Sequence, residues 1–173
     1  MNIRYAFYCL LVLSCVNRSY GQTLEQTLKN MGIELYAPTK SVGNYVKAVR
    51  SGNLIFLAGH VSTRADGSAI TGKLGKELTM EQGYEAARVT TISLLSTLKN
   101  EVGELARVKR IVKVTGFVNS TPDFTDQPKV INGCSDLLVA LFGDIGKHAR
   151  SAVGMAALPS NYAVEIEMVV EVE

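Results

Sequence analysis

Two stretches of the chain repeat apolar residues at the spacing of an amphipathic helix. The first begins at Thr79, where residues 79–82 read Thr-Met-Glu-Gln and form a capping box, and Gly103 follows its last apolar position. The second has Asp126 as its predicted N-cap and a proline in its first turn, and it ends at Gly143. We therefore predict two long helices.

Five other stretches alternate apolar and polar residues or are rich in β-branched residues, which predicts strands. In the last of them the even-numbered positions are apolar and Glu165, Glu167 and Glu171 occupy the other face. A weak helical pattern covers residues 23–32. The predicted strands are 44–50, 54–60, 108–119, 149–158 and 162–172.

The order β-β-α-β-α-β-β places both long helices against one sheet, which is an α+β architecture. Helices then cover one face of the sheet and leave the other bare. Association with further copies of the chain is the simplest way to cover that second face.

The first 21 residues have the order of a secretory signal peptide. Arg4 supplies a positive charge, a short apolar run extends to Val16, and small and polar residues lead to a predicted cleavage site after Gly21. A buried N-terminal helix is the alternative to export. A lipobox-like Leu-Ser-Cys at residues 13–15 offers a second route, in which Cys15 is the lipidated N-terminus. We therefore expect a periplasmic or secreted protein, in which residues 22–42 form an N-terminal extension with a short helix.

Charge and cysteine content narrow the function classes. Removing a leader that holds Arg4 and Arg18 leaves 16 basic against 16 acidic residues, so no basic excess marks a nucleic-acid-binding protein. Cys134 is then the one remaining cysteine, and its helical apolar surroundings predict a core thiol. His60 and His148 have no Cys or His at ligand spacing, so we expect neither a metal nor another cofactor.

Four segments resemble the RidA family, the reactive intermediate deaminases. They are Gly43-Asn44-Tyr45 with residues 52–60; residues 113–119 with Asp123-Phe124; Ala149-Arg150-Ser151-Ala152-Val153; and Ala157-Leu158-Pro159 with residues 164–167. The segments are spread over residues 43–173, and the resemblance extends over this range, the predicted RidA-like domain. The resemblance implies a chorismate-mutase-like fold, a mixed sheet with two helices on one face, and a homotrimer with clefts between subunits. It implies hydrolysis of 2-imino or 2-enamino acids to 2-keto acids and ammonia.

Arg150 is the first candidate for the site. It lies among small and apolar residues, and a guanidinium that is mostly buried needs a partner. A substrate carboxylate fits its planar fork, whereas an ion pair with a carboxylate of the last strand is the structural alternative.

The resemblance implies four further site residues. Glu165 matches the carboxylate that the family uses near its attacking water, although a solvated strand face also explains it. Tyr45 matches a tyrosine that closes the cleft, and strand packing is its alternative. Asn132 matches an asparagine that lines the site or else caps the local backbone. Ala152 stands where cysteine is common and keeps the backbone carbonyl.

Some residues differ from the family pattern, so the resemblance alone does not decide between a deaminase and a protein that only binds. Ala58 replaces a frequent serine, and His60 a frequent glutamine. We interpret His148 as a surface histidine, with a titratable group at the cleft mouth as the alternative. We therefore carry three functions in this order: an imine deaminase, a trimer that binds small carboxylates without chemistry, and an endoribonuclease. No nucleic-acid partner and no transmembrane segment in the mature chain are expected.

Overall fold

The computed structural model describes residues 24–41 and 43–173. The predicted signal peptide, its cleavage site and Cys15 lie outside these residues. The described chain contains a short helix over residues 24–30, α1, and then β1 (Ala48–Ser51), β2 (Leu54–Val61), α2 (Met80–Val102), β3 (Val108–Asn119), α3 (Gln127–Phe142), β4 (Ala149–Met155) and β5 (Val164–Val172). The predicted order and the α+β class are confirmed.

The five strands form one mixed sheet in the order β1-β2-β5-β3-β4. β3 and β4 are parallel, and the other neighbours are antiparallel. The last strand of the chain therefore lies at the centre of the sheet, whereas β1 and β4 form its two edges. The apolar residues of β5 are fully buried against the helices, which is why its alternation was so regular in the sequence.

Both long helices pack on one face of this sheet and against each other. The capping box of α2 is present, because Thr79 Oγ1 accepts from the Gln82 backbone and Gln82 Oε1 accepts from the Thr79 backbone. Asp126 is the N-cap of α3 as predicted, but its carboxylate pairs with Lys129 and makes no capping hydrogen bond. At Gly133 the backbone of α3 approaches α2 so closely that a β-carbon would overlap the Tyr84 carbonyl.

The predicted strands at the two edges are longer than the observed ones. β1 starts at Ala48, opposite Leu57 of β2, rather than at residue 44, because β2 bulges just beyond this pair, where its register with β5 shifts between Leu57 and His60. β4 ends at Met155 rather than at residue 158, since its ladder with β3 finishes where β3 ends, at Asn119. An edge strand lasts only as long as its single neighbour offers hydrogen-bond partners.

The core lies between the helices and the sheet, and α1 contributes to it through Leu24 and Leu28. Cys134 is fully buried there, and burial raises the pKa of its thiol to about 12, which makes it an inert core residue as predicted. None of the helices in the described part of the chain is long and apolar enough to cross a membrane.

None of the described residues covers the face of the sheet away from the helices. Val49, Phe56 and Val153 lie on it with 54%, 45% and 43% of their surfaces exposed. A shallow cavity of about 320 Å³ occupies its middle and is lined in part by Phe56, Ala58, Thr115 and Glu167. We call this surface the open face.

Candidate functional site

Arg150 lies on the edge strand β4 with its side chain on the helix side of the sheet. It is in register with Val114 of β3, whose side chain is buried beneath the helices. Its Nη1 atom lies 2.8 Å from Asn132 Oδ1 and 3.0 Å from Ser135 Oγ, both on α3, and donates to each. The two acceptors fix the orientation of the guanidinium.

This arrangement leaves one edge of the guanidinium free. A guanidinium has five N–H groups, and the two bonds described use both of those on Nη1. Within residues 24–41 and 43–173, neither Nε nor Nη2 has a hydrogen-bond partner and no carboxylate lies within ion-pair distance of Arg150. The carboxylates of β5 are on the other face of the sheet, so an ion pair with them inside the chain is not formed. The half-buried guanidinium is therefore held with one edge unoccupied. This bidentate edge consists of Nε and Nη2, which together can donate two hydrogen bonds to one carboxylate.

Ser135 links Arg150 to His148. His148 Nε2 lies 3.1 Å from Ser135 Oγ, and His148 Nδ1 lies 2.7 Å from the carbonyl oxygen of Gly146. Our interpretation of His148 as a surface histidine was wrong: its ring is half-buried between β4 and α3, because the turn after α3 brings residue 148 back beneath that helix. Sequence reasoning missed Ser135, which carries no motif of its own and is one helical turn from Asn132.

The charge state of His148 follows from its surroundings. Burial lowers the pKa of the His148 ring below its ordinary value. The hydrogen bond to Gly146 acts in the opposite direction, and the positive charge of Arg150 lowers this pKa further. The ring is therefore neutral at pH 7.

Glu165 lies on the open face, next to the bulge of β2. Its carboxylate sits directly over Gly59, where a β-carbon would overlap it. The side chain is half-buried, and burial raises the pKa of its carboxyl group, with a further contribution from the negative charge of Glu167. Gly59 was part of the sequence motif, but only the fold shows that its missing side chain leaves room for the Glu165 carboxylate.

Tyr45 precedes β1 and Ala58 lies within β2, so both are on the side of the sheet that ends in β1. Tyr45 is in a bend before β1 and is 51% exposed, so it does not serve strand packing within the chain. Ala58 lines the open-face cavity and offers no hydroxyl group there. Neither residue contacts Arg150.

The candidate residues therefore form two groups. Arg150, Asn132 and Ala152 belong to the edge where α3 covers β4, and Ala152 packs against the core there. Glu165 lies on the open face, and Tyr45 lies beside β1 at the opposite edge of the sheet. Arg150 pairs with Val114 whereas Glu165 pairs with Phe117, three residues further along β3, so their side chains leave the sheet on opposite faces. One chain does not bring the two groups together.

Comparison with known proteins gives the same family as the sequence motifs. Residues 25–172 match the family described as "YjgF/chorismate mutase-like, putative endoribonuclease". Protein TCP17 of Trypanosoma cruzi is 43% identical over 145 residues, which cover 83% of this chain and 91% of that protein. The 2-iminobutanoate/2-iminopropanoate deaminase of Dermatophagoides farinae is 27% identical over 133 residues, which cover 76% of this chain and 88% of that protein.

A solved structure extends the likeness to the whole fold. The protein Atu1372 of Agrobacterium tumefaciens, whose function is unknown, superposes with a TM-score of 0.84 at 36% sequence identity. The match covers 92% of this chain and 99% of that one. The motifs, the fold and these relatives agree, and the chain belongs to the YjgF/RidA family.

Proposed function

We propose that this protein hydrolyses small 2-imino or 2-enamino acids to 2-keto acids and ammonia, in clefts between the subunits of a homotrimer. The observation that carries the proposal is the guanidinium of Arg150, which Asn132 and Ser135 orient while its bidentate edge has no partner. A small carboxylate is the ligand that matches such an edge in charge and geometry.

A cleft between subunits accounts for the separation of the two groups. The open face carries exposed Val49, Phe56 and Val153, an apolar surface of the kind that a second copy covers. If the β4 edge of one subunit lies against the open face of the next, Arg150 of the first faces Glu165 of the second. The site is then complete only in the assembly.

In this cleft Glu165 directs the attacking water. The substrate reacts as the protonated imine: the carboxylate accepts a proton from water as the oxygen adds to the imine carbon, and the π electrons of the C=N bond move to nitrogen. Glu165 then returns that proton to the nitrogen, ammonia leaves with the electrons of the C–N bond, and the hydroxyl hydrogen passes to solvent as the carbonyl of the 2-keto acid forms. A raised pKa suits a group that must both take and return a proton near neutral pH.

The other three residues position the substrate in this proposal. Tyr45 closes the cleft from the open-face side and donates a hydrogen bond through its exposed hydroxyl group. Asn132 holds Arg150, and Ala152 contributes its backbone carbonyl beside it. No cofactor is required, since water is the second substrate.

Binding without chemistry is the second candidate function. Ala58 stands on the open face where family enzymes often have a serine, and Ala152 replaces a frequent cysteine. The loss of a hydroxyl removes one hydrogen bond to a substrate, whereas the carboxylate anchor at Arg150 remains. A cleft of this composition can retain a small carboxylate and release it unchanged. An endoribonuclease ranks third, because the mature chain has no excess of basic residues.

The test is the release of keto acid and ammonia from freshly generated 2-imino acids. We expect catalysis above the spontaneous rate, and a loss of about a hundredfold in kcat/KM for Arg150→Ala, since a bidentate charged contact is removed. Arg64→Ala, in an exposed loop, is the matched control and should keep the wild-type rate.

Absence of any rate above the spontaneous reaction, across small and bulky imines, would sink the deaminase proposal. If 2-keto acids then still bound in an Arg150-dependent manner, the second candidate function would take its place.

A further inference from the structure

Hydrogen bonds connect Arg150 through Ser135 and His148 to the carbonyl group of Gly146, and the chemistry of these groups determines which atom donates at each step. The carbonyl oxygen of Gly146 can only accept, so His148 Nδ1 carries a hydrogen and donates to it. In the neutral ring Nε2 is then an acceptor, and Ser135 Oγ donates its hydrogen to Nε2. The same Ser135 oxygen accepts from Arg150 Nη1. The order is Arg150 to Ser135 to His148 to Gly146, each group donating to the next.

Few charged groups of the described residues lie on the elements around this chain, and on α3 Asp136 follows Ser135 but accepts a hydrogen bond from Tyr84 of α2 at 3.0 Å. Arg150 on β4 is the charge that acts on the His148 ring, and α3 presents the uncharged Ser135 to it. Lys147 and Asp144, in the turn between α3 and β4, pair with each other at 2.7 Å at the surface. Among the described residues no carboxylate shifts the pKa of His148, so a ligand carboxylate bound at Arg150 would add a negative influence that the free protein lacks there.

We propose that Ser135 and His148 couple the binding of a carboxylate at Arg150 to the uptake of one proton, so that 2-keto and 2-imino acids bind more tightly when His148 is protonated. The inference rests on the proposed function, because it takes Arg150 as the carboxylate anchor. It adds a group that regulates this anchor and that the family motifs did not assign.

Two effects of protonation act in the same direction. The added charge on the ring attracts the carboxylate that Arg150 holds. In addition, the new Nε2–H donates to Ser135 Oγ, which has two lone pairs and can accept from both His148 and Arg150. The Ser135 hydroxyl hydrogen, no longer directed at the ring, is then free to donate to the ligand. Arg150 keeps its hydrogen bond in either state.

The pH dependence follows from linkage. In the free protein, burial and the charge of Arg150 hold the pKa of His148 below its ordinary value. A bound carboxylate favours the charged ring and raises this pKa toward or above that value. Affinity therefore increases as pH falls through the window between the two pKa values and levels off on either side. By reciprocity, a rise of half a unit to one unit gives about a three- to tenfold gain in affinity.

The experiment follows the imidazole C–H resonances of the assembled protein by NMR across pH, with and without saturating 2-oxobutanoate. The chain has two histidines, so His148→Gln assigns both signals. His60 is an internal reference, since its ring is buried against Thr97 of α2 on a different part of the helix layer. Calorimetric titration with 2-oxobutanoate over the same pH range gives the affinities.

We expect the pKa of His148 to rise on binding while that of His60 stays in place. Affinity should increase about three- to tenfold toward low pH in the wild type, and the curve should be flat for His148→Gln. Lys147→Gln removes a positive charge next to His148 without touching the hydrogen-bond chain, and it should keep the wild-type slope.

The outcomes separate the two proposals. A pKa of His148 that is unchanged or lowered by 2-oxobutanoate, with binding that still depends on Arg150, would overturn the coupling and leave the proposed function standing. A wild-type protein that binds no 2-oxobutanoate at any pH would contradict the proposed function and the coupling together.

Discussion

Glu165 and Glu167 differ in environment although they are two residues apart on one face of β5. Glu165 is half-buried over Gly59, whereas Glu167 is exposed beside the open-face cavity. Burial and the charge of Glu167 both raise the pKa of Glu165. In our account Glu165 exchanges the proton and Glu167 adjusts the pH at which it does so.

Glu167→Gln should extend activity to lower pH. Glu165 must be ionised to accept a proton from water, so kcat falls as pH drops through its pKa in the bound complex. Removing the neighbouring negative charge lowers this pKa and moves the acid limb of kcat to lower pH, by a few tenths of a pH unit to about one unit. The measurement is the pH profile of kcat. Glu171→Gln, on the same face but further along the strand, is the control and should leave the acid limb of kcat in place. If the acid limb of Glu167→Gln stays at the wild-type pH or moves to higher pH, the coupling between the two carboxylates is refuted.

The sequence predicted some of the site at this scale and missed the rest for a physical reason. Arg150 was marked by its small and apolar neighbours, and Glu165 by the resemblance to the RidA family, since the alternation of β5 alone does not distinguish it from Glu167. Ser135 lies on α3 and His148 lies 13 residues later, just before β4, and they become neighbours only when the turn after α3 folds back. Such a contact has no periodicity or motif that a sequence could reveal.

At the scale of elements, the start of α2 has a well-defined energetic role. The capping box satisfies two backbone N–H groups that would otherwise lack a partner in the first turn. We expect Thr79→Ala to lower the free energy of unfolding by about 1 kcal/mol, because it removes the side-chain acceptor. Urea unfolding at a fixed protein concentration measures this loss.

Thr79→Ser is the matched control for the cap. Serine keeps the hydroxyl acceptor, so its unfolding midpoint should stay close to that of the wild type. Equal losses in the two variants would show that the methyl group of Thr79, rather than its hydroxyl group, stabilises this turn.

The helices were easier to predict than the edge strands. A helix satisfies its backbone within its own segment, so caps and spacing at Thr79 and Gly103 define it locally. β1 and β4 each depend on one neighbour, and they stop where that neighbour bulges or ends. Strand limits of this kind are set by partners distant in sequence.

At the scale of the whole molecule, the two faces of the sheet differ in how far they are buried. The helix layer covers one face, as the element order predicted, and the other keeps its apolar residues exposed. The same division separates Arg150 from Glu165. The proposed site takes one group from each side of the sheet, so in our account a second copy completes it and assembly is linked to activity.

Mixing two inactive variants tests this central claim most directly. Arg150→Ala and Glu165→Gln are each expected to be nearly inactive when refolded alone. If each site takes Arg150 from one subunit and Glu165 from the next, every mixed trimer holds one intact site. Random co-refolding of equal amounts should then restore about a quarter of the wild-type rate of 2-imino acid hydrolysis. If the mixture stays as inactive as its components although exchange of subunits is verified, the site does not lie between subunits and the account is wrong.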